Sequence, residues 1–150
     1  MDVGKKHLEK AARERTRTAR ELLGPTGNKA PLTACYLMHT GMQCALKFRL
    51  LIQYGVTTTQ KLRSRLPPEV FERLFQSRHG HDLMTLSDYA KLRRLLDARQ
   101  MRSLIQGRVW KRMAEPSRPY SLRYGVESVP VGNAQDEVAL GELLIKLLLE

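Results

Sequence analysis

Ala34-Cys35-Tyr36-Leu37-Met38-His39-Thr40-Gly41-Met42-Gln43-Cys44-Ala45-Leu46-Lys47 is the stretch that decides how this chain folds. Leu37, Gly41, Ala45, Phe48 and Ile52 recur at steps of three and four, with Met38, Met42, Leu46, Leu50 and Leu51 beside them. Apolar residues so spaced cover a wide sector of a helix, and a helix covered that widely is buried against several neighbours. The pattern predicts one central helix over about 32–54, closed by Gly55. Gly41 costs about 1 kcal/mol of helix propensity. In return it lets a neighbouring backbone approach closely.

Outward from this helix the signals are weaker. Residues 5–23 read as a polar helix with a thin apolar side of Leu8, Ala11, Ala12, Ala19, Leu22 and Leu23, stopped by Gly24-Pro25. Residues 56–66 are ambiguous. Pro67-Pro68 opens a short helix in which Val70, Phe71, Leu74 and Phe75 share a face, and Arg78-His79-Gly80 breaks it. Asp82 suits an N-cap for a helix predicted to continue to Gln106. Its apolar face drifts, from Leu83, Leu86 and Ala90 to Tyr89, Leu92, Leu95 and Leu96. The glycines and prolines of 107–132 predict mostly loop, with a turn of helix around Trp110. A last helix is predicted from Asn133 to Leu149, capped by Asn133, with Asp136 and Glu137 at its positive end. It is apolar nearly all round, and a second subunit is one way to cover it, so a homodimer is expected. No segment reads as a strand.

The chain has 150 residues, 42% hydrophobic and 27% charged, which fits one globular domain over 1–150. The formal net charge is +11 and unevenly spread. Residues 91–112 carry eight basic residues and one acid, a net +7, whereas 113–150 carry three basic and six acidic residues, a net −3. A basic body with an acidic end suits a polyanion such as RNA, an acidic protein partner or head-to-tail contacts, and the competing reading is a solubilising, arginine-rich surface. Cys35 and Cys44, nine residues apart on one helix, would sit about 13 Å apart along the axis on opposite faces. They cannot pair there, so they read as core residues of a reducing compartment. The sequence begins without an apolar leader and holds no membrane-length apolar run. A cytoplasmic protein with no membrane association is expected, and no cofactor is expected.

The run His39-Thr40-Gly41-Met42-Gln43-Cys44-Ala45-Leu46-Lys47 resembles the second-helix pattern His-Gln-Ala-x-Glu-Lys-Ala-Leu-Lys of the HEPN domain family. His39, Ala45, Leu46 and Lys47 agree; Thr40, Gly41, Gln43 and Cys44 depart. His81-Asp82-Leu83 is similar to a His-x-Leu at the start of a later helix in that family, and Arg123-Tyr124 to an Arg-Tyr pair before its final helix. The resemblance spans about residues 8–149, with 56–80 as a possible insertion. It implies an all-α fold, an antiparallel up-and-down bundle of four to five helices, often dimeric. It further implies a protein that binds RNA or a nucleotide, within toxin–antitoxin or defence systems, and that in some members pairs with a nucleotidyltransferase.

Family ribonucleases place an Arg and, a few residues on, a His near the start of the last helix, for general acid–base work and phosphate binding. This chain has no histidine after His81, and Arg73 with His79 has the spacing but the wrong place. A binding protein is therefore expected, with no catalytic residue named; a ribonuclease toxin with a variant site is the alternative. His39, His81 and Asp82 read as architectural, and the His79–Asp82 cluster lacks the spacing of a metal site. Arg93, Arg94, Arg102, Arg108, Lys111 and Arg112, with Trp110 among them, form the polyanion candidate, since guanidinium forks suit phosphate and an indole stacks on a base. The competing reading is a solvated face with Trp110 in the core. Lys47 and Arg49 either bind a ligand or complement the negative end of the central helix. Arg123 and Tyr124 join the site on the resemblance.

Overall fold

The computed structural model describes residues 2–24, 30–76 and 82–150, and all regular structure among them is helical. The elements are α1 (Lys5–Leu22), α2 (Pro31–Gln53), α3 (Thr59–Arg63), α4 (Pro68–Phe75), α5 (Leu83–Tyr89), α6 (Ala98–Gln100), α7 (Arg108–Met113), α8 (Arg118–Tyr124) and α9 (Val131–Leu149). The all-α expectation holds, but the chain is cut into more and shorter helices than a bundle of four or five.

Helix α2 is the axis. It buries Met38, Met42, Ala45, Leu46, Leu50 and Leu51 completely, which requires neighbours on most sides. Helices α1 and α9 supply most of the cover, and α5 and α8 the rest. Helix α1 runs antiparallel to α2: its first residue donates from Lys5 N to Thr57 O (2.8 Å) beyond the far end of α2, and its middle crosses Gly41. A Cβ added at Gly41 would lie 3.6 Å from Ala12 O, so the glycine does admit a neighbouring backbone. Helix α9 runs parallel to α2. Gly141, at the middle of α9, packs on Met38 in the first half of α2, and Arg49 Nη1 donates to Glu150 O (3.1 Å) at their far ends. A Cβ at Gly141 would fall 2.3 Å from Met38 Sδ, so α2 is held between two glycine crossings. The Arg20 guanidinium, paired with Glu142, ties α1 to α9. Ile52, assigned from the sequence to the buried stripe, is 40% exposed at the end of the helix.

Nearly all the round-about apolar surface of α9 is covered within the chain. Ala134, Val138, Leu140, Leu144, Ile145 and Leu148 are buried, and α1, α2 and α7 pack on the helix. Leu143 is the large apolar residue of α9 left mostly exposed. The chain itself supplies most of the cover for which a second subunit was one source. The helix starts at Val131 rather than Asn133, and no side chain caps it. Asn133 instead offers its carbonyl to Arg112 Nη2 (3.3 Å).

The segment 56–80, read as a possible insertion, contributes Leu62, Leu66, Phe71 and Leu74 to the same core as α1, α2 and α9. Thr58 caps α3 by accepting from Lys61 N (3.2 Å). The single helix predicted over 82–106 is broken. Lys91 takes a left-handed conformation (φ 55°), a 3-10 turn follows at Leu92–Leu95, and α6 restarts under an Asp97–Gln100 capping box before a π-type turn at Met101–Ile105. The drift of the apolar face has this break as its cause: no straight helix places both sets of leucines on one core. Helix α7 is the turn of helix expected around Trp110, and α8 occupies what the sequence predicted as loop. Trp110, 2% exposed, and Met113 fix α7 to the core, and Gly125 (φ 63°) ends α8. No helix among the described residues is long and apolar enough to cross a membrane.

Candidate functional site

One polar stripe interrupts the apolar surface of α2. Tyr36, His39, Thr40 and Gln43 recur at helical spacing on a single face. Opposite them stands α8, with Pro119, Tyr120, Arg123 and Tyr124, preceded by Pro116 and Ser117. Asp82, at the start of α5, completes the lining between them. Together they enclose an open cavity of about 650 Å³.

The floor is buried and polar. His39 and Gln43 are both buried, and Gln43 Nε2 lies 2.9 Å from His39 Nδ1, one turn apart on α2. Asp82 is buried as well. Its Oδ1 accepts from Met84 N (2.9 Å), the N-cap bond read from the sequence, and its Oδ2 lies 3.3 Å from Thr85 Oγ1. The rim is aromatic and cationic. Tyr120 and Tyr124 are 63% and 60% exposed, with ring centroids 4.9 Å apart and planes tilted by 50°. The Arg123 guanidinium lies 5.6 Å from the centre of the Tyr124 ring. Apolar rings standing that far out of the protein are available to a flat ligand. Asp82 and Arg123 are the two charged side chains of the described lining, one at the floor and one at the rim.

Behind the cavity, α8 is anchored by a buried ion cluster. Arg118, its first residue, is 3% exposed; its Nη2 donates to Glu137 of α9 (2.9 Å), its Nη1 to Arg112 O (3.0 Å), and its Nε lies 2.7 Å from Glu127. Arg112 Nε donates to the same Glu137 carboxylate (3.0 Å). Glu137 is thereby a shared acceptor joining α7, α8 and α9, which fixes the wall that carries the two tyrosines. Cys35 sits beside this cluster. Burial, helped by the charge of Glu137, pushes its thiol up to about 12. Burial likewise raises the Cys44 thiol. Both are free thiols, as the helical spacing implied.

The structure thus brings His39, Asp82, Arg123 and Tyr124 to one place, although the sequence treated them separately. His81 and His79 lie outside the described residues. Two members of the basic candidate change role. Trp110 is a core residue, its indole enclosed where α7 meets the rest of the fold, so it offers no face to a base. Arg112 is committed to Glu137 and to Asn133 O. Arg93, Arg94, Arg102, Arg108 and Lys111 are exposed on the connector between α5 and α8. Lys47 points its ammonium at the Phe75 ring (5.4 Å), where burial lowers its pKa, one turn beyond Gln43 and outside the cavity lining. Tyr36, Thr40, Gln43 and Tyr120 were missed. Their signal was present as polar residues at helical spacing inside an apolar helix, and as a Tyr-x-x-Arg-Tyr run. No group of three or more His, Cys, Asp and Glu residues that could hold a metal ion occurs among the described residues. Comparison with protein-family models, with curated proteins and with solved structures returns no match.

Proposed function

We propose that this chain is a HEPN-type binding domain that holds RNA or a nucleotide in the cavity between α2 and α8. One observation carries the reading: a buried hydrogen-bonding floor of His39, Gln43 and Asp82 faces an exposed rim of Tyr120, Arg123 and Tyr124. A base has an apolar face and a polar edge, and its phosphate is anionic. The tyrosines suit the face, the floor suits the edge, and the guanidinium suits the phosphate. The exposed cations of the connector serve a second purpose, attracting a phosphate backbone without regard to sequence. The basic face alone, with Trp110 in the core, has no aromatic ring left to stack on a base.

The test is fluorescence anisotropy of a labelled single-stranded RNA over 50–200 mM salt, a range in which phosphate contacts lose affinity steeply. Wild-type protein is expected to bind, with affinity falling linearly on a log–log plot. The double substitution Arg123→Ala, Tyr124→Ala is expected to weaken binding by about tenfold or more, the scale of one lost base stack. Unchanged affinity in that variant, or no binding by the wild type at low salt, contradicts the proposal.

A further inference from the structure

We infer that the cavity selects guanine among the four bases. The inference rests on the proposed function and deepens it by naming the base. Its origin is the placement of the two charges: Asp82 is buried at the floor and Arg123 stands at the exposed rim. A nucleotide that spans the cavity, with its phosphate on Arg123 and its base inward at Asp82, sets its base edge against a carboxylate.

An ionised carboxylate only accepts hydrogen bonds. Each oxygen of Asp82 already takes one donor from its own helix, Met84 N at 2.9 Å and Thr85 Oγ1 at 3.3 Å, which fixes the carboxylate in place and leaves further lone pairs on both oxygens. The edge that matches two fixed acceptor oxygens has two adjacent donors. Guanine offers this pair in its N1–H and its exocyclic N2 amine. Adenine and cytosine each set one exocyclic donor beside a bare ring nitrogen, whose lone pair opposes the second oxygen. Uracil has one ring N–H between two carbonyl oxygens, which oppose it as well. Pairing of both donors is worth about tenfold to a hundredfold in discrimination, the range of one good bidentate contact to a base. The same chemistry is met by a free guanine nucleotide and by a guanosine within a strand.

Isothermal titration of wild-type protein with GMP, AMP, CMP and UMP tests the inference. GMP is expected to bind at least about tenfold more tightly than the others. In Asp82→Asn the preference is expected to collapse, because an amide replaces one acceptor by a donor. Asn caps a helix as well as Asp does, so this variant is expected to keep the wild-type melting temperature. Equal affinity for all four nucleotides, a preference for another base, or a guanine preference that survives in a folded Asp82→Asn overturns the inference and leaves cavity binding standing. Binding of none of the nucleotides, together with no binding of a single-stranded RNA, overturns both. A U-rich strand with one central G that binds more tightly than GMP, while the all-U strand does not, assigns the guanosine to RNA; equal affinity of that strand and GMP assigns it to the free nucleotide.

Discussion

Replacing Glu137 by Gln is expected to cost about 3 kcal/mol of stability. The carboxylate is 3% exposed and accepts from Arg118 Nη2 (2.9 Å) and Arg112 Nε (3.0 Å). Breaking a buried pair by removing one charge costs about 3–5 kcal/mol, because the other charge stays buried without its counterion. The lower end applies here. Arg118 keeps Glu127 at 2.7 Å and Arg112 O at 3.0 Å, and Arg112, with about a quarter of its side chain exposed, turns to water. For a chain of this length that loss lowers the melting temperature by about 6–12 °C. Thermal unfolding followed by far-ultraviolet circular dichroism measures it. The paired substitution Glu137→Leu with Arg118→Met is expected to recover part of the loss, since apolar groups can replace a buried ion pair at little cost. A Glu137→Gln variant that melts within about 1 °C of wild type would falsify the claim that this cluster holds α8 against α9.

Further outcomes follow from the packing, from the Cys35 thiol and from Trp110. Gly141→Ala places a Cβ 2.3 Å from Sδ and 2.5 Å from Cγ of the fully buried Met38, so an overpacking cost towards the upper end of about 1–3 kcal/mol outweighs the gain of about 1 kcal/mol in helix propensity and lowers the urea midpoint. Gly132→Ala in the same helix meets nothing within 4 Å and is expected to leave that midpoint unchanged or raised. The Cys35 thiol, held near 12 against an ordinary 9.0, is expected to react slowly with a disulfide reagent at pH 8 until urea is added. Because its folded pKa is raised, its contribution to stability is full below about pH 9 and is lost as pH rises towards 12; Cys35→Ala should flatten that alkaline slope in denaturant melts. Trp110 is the sole tryptophan, and its burial predicts blue-shifted emission that RNA leaves in place, whereas quenching on titration would return it to the ligand.

The central helix was legible because its apolar residues recur over six turns, and α2 runs from Pro31 to Gln53 much as the periodicity placed it. The region between α4 and α9 was not, because its helices are short and are set by tertiary contacts. Lys91 in the left-handed region and the buried ion cluster of Arg118, Glu127 and Glu137 leave no periodic trace. The last helix misled in a different way. Its leucines run round the axis, and only the structure shows that α1, α2 and α7 cover them in turn. At the site, net charge drew attention to the connector, where charge is dense. The cavity contains just two charged side chains in its described lining and could be found only by folding the α2 stripe against α8.

Proton–nitrogen correlation spectra of isotopically labelled protein, recorded while single-stranded RNA is added, test most directly whether the cavity is the binding site. The account predicts that the largest shift changes fall on residues 36–43, on Asp82 and on residues 117–124, with weaker, salt-sensitive changes along 91–111. Changes confined to the basic connector, with the α2 stripe and α8 unmoved, would contradict it.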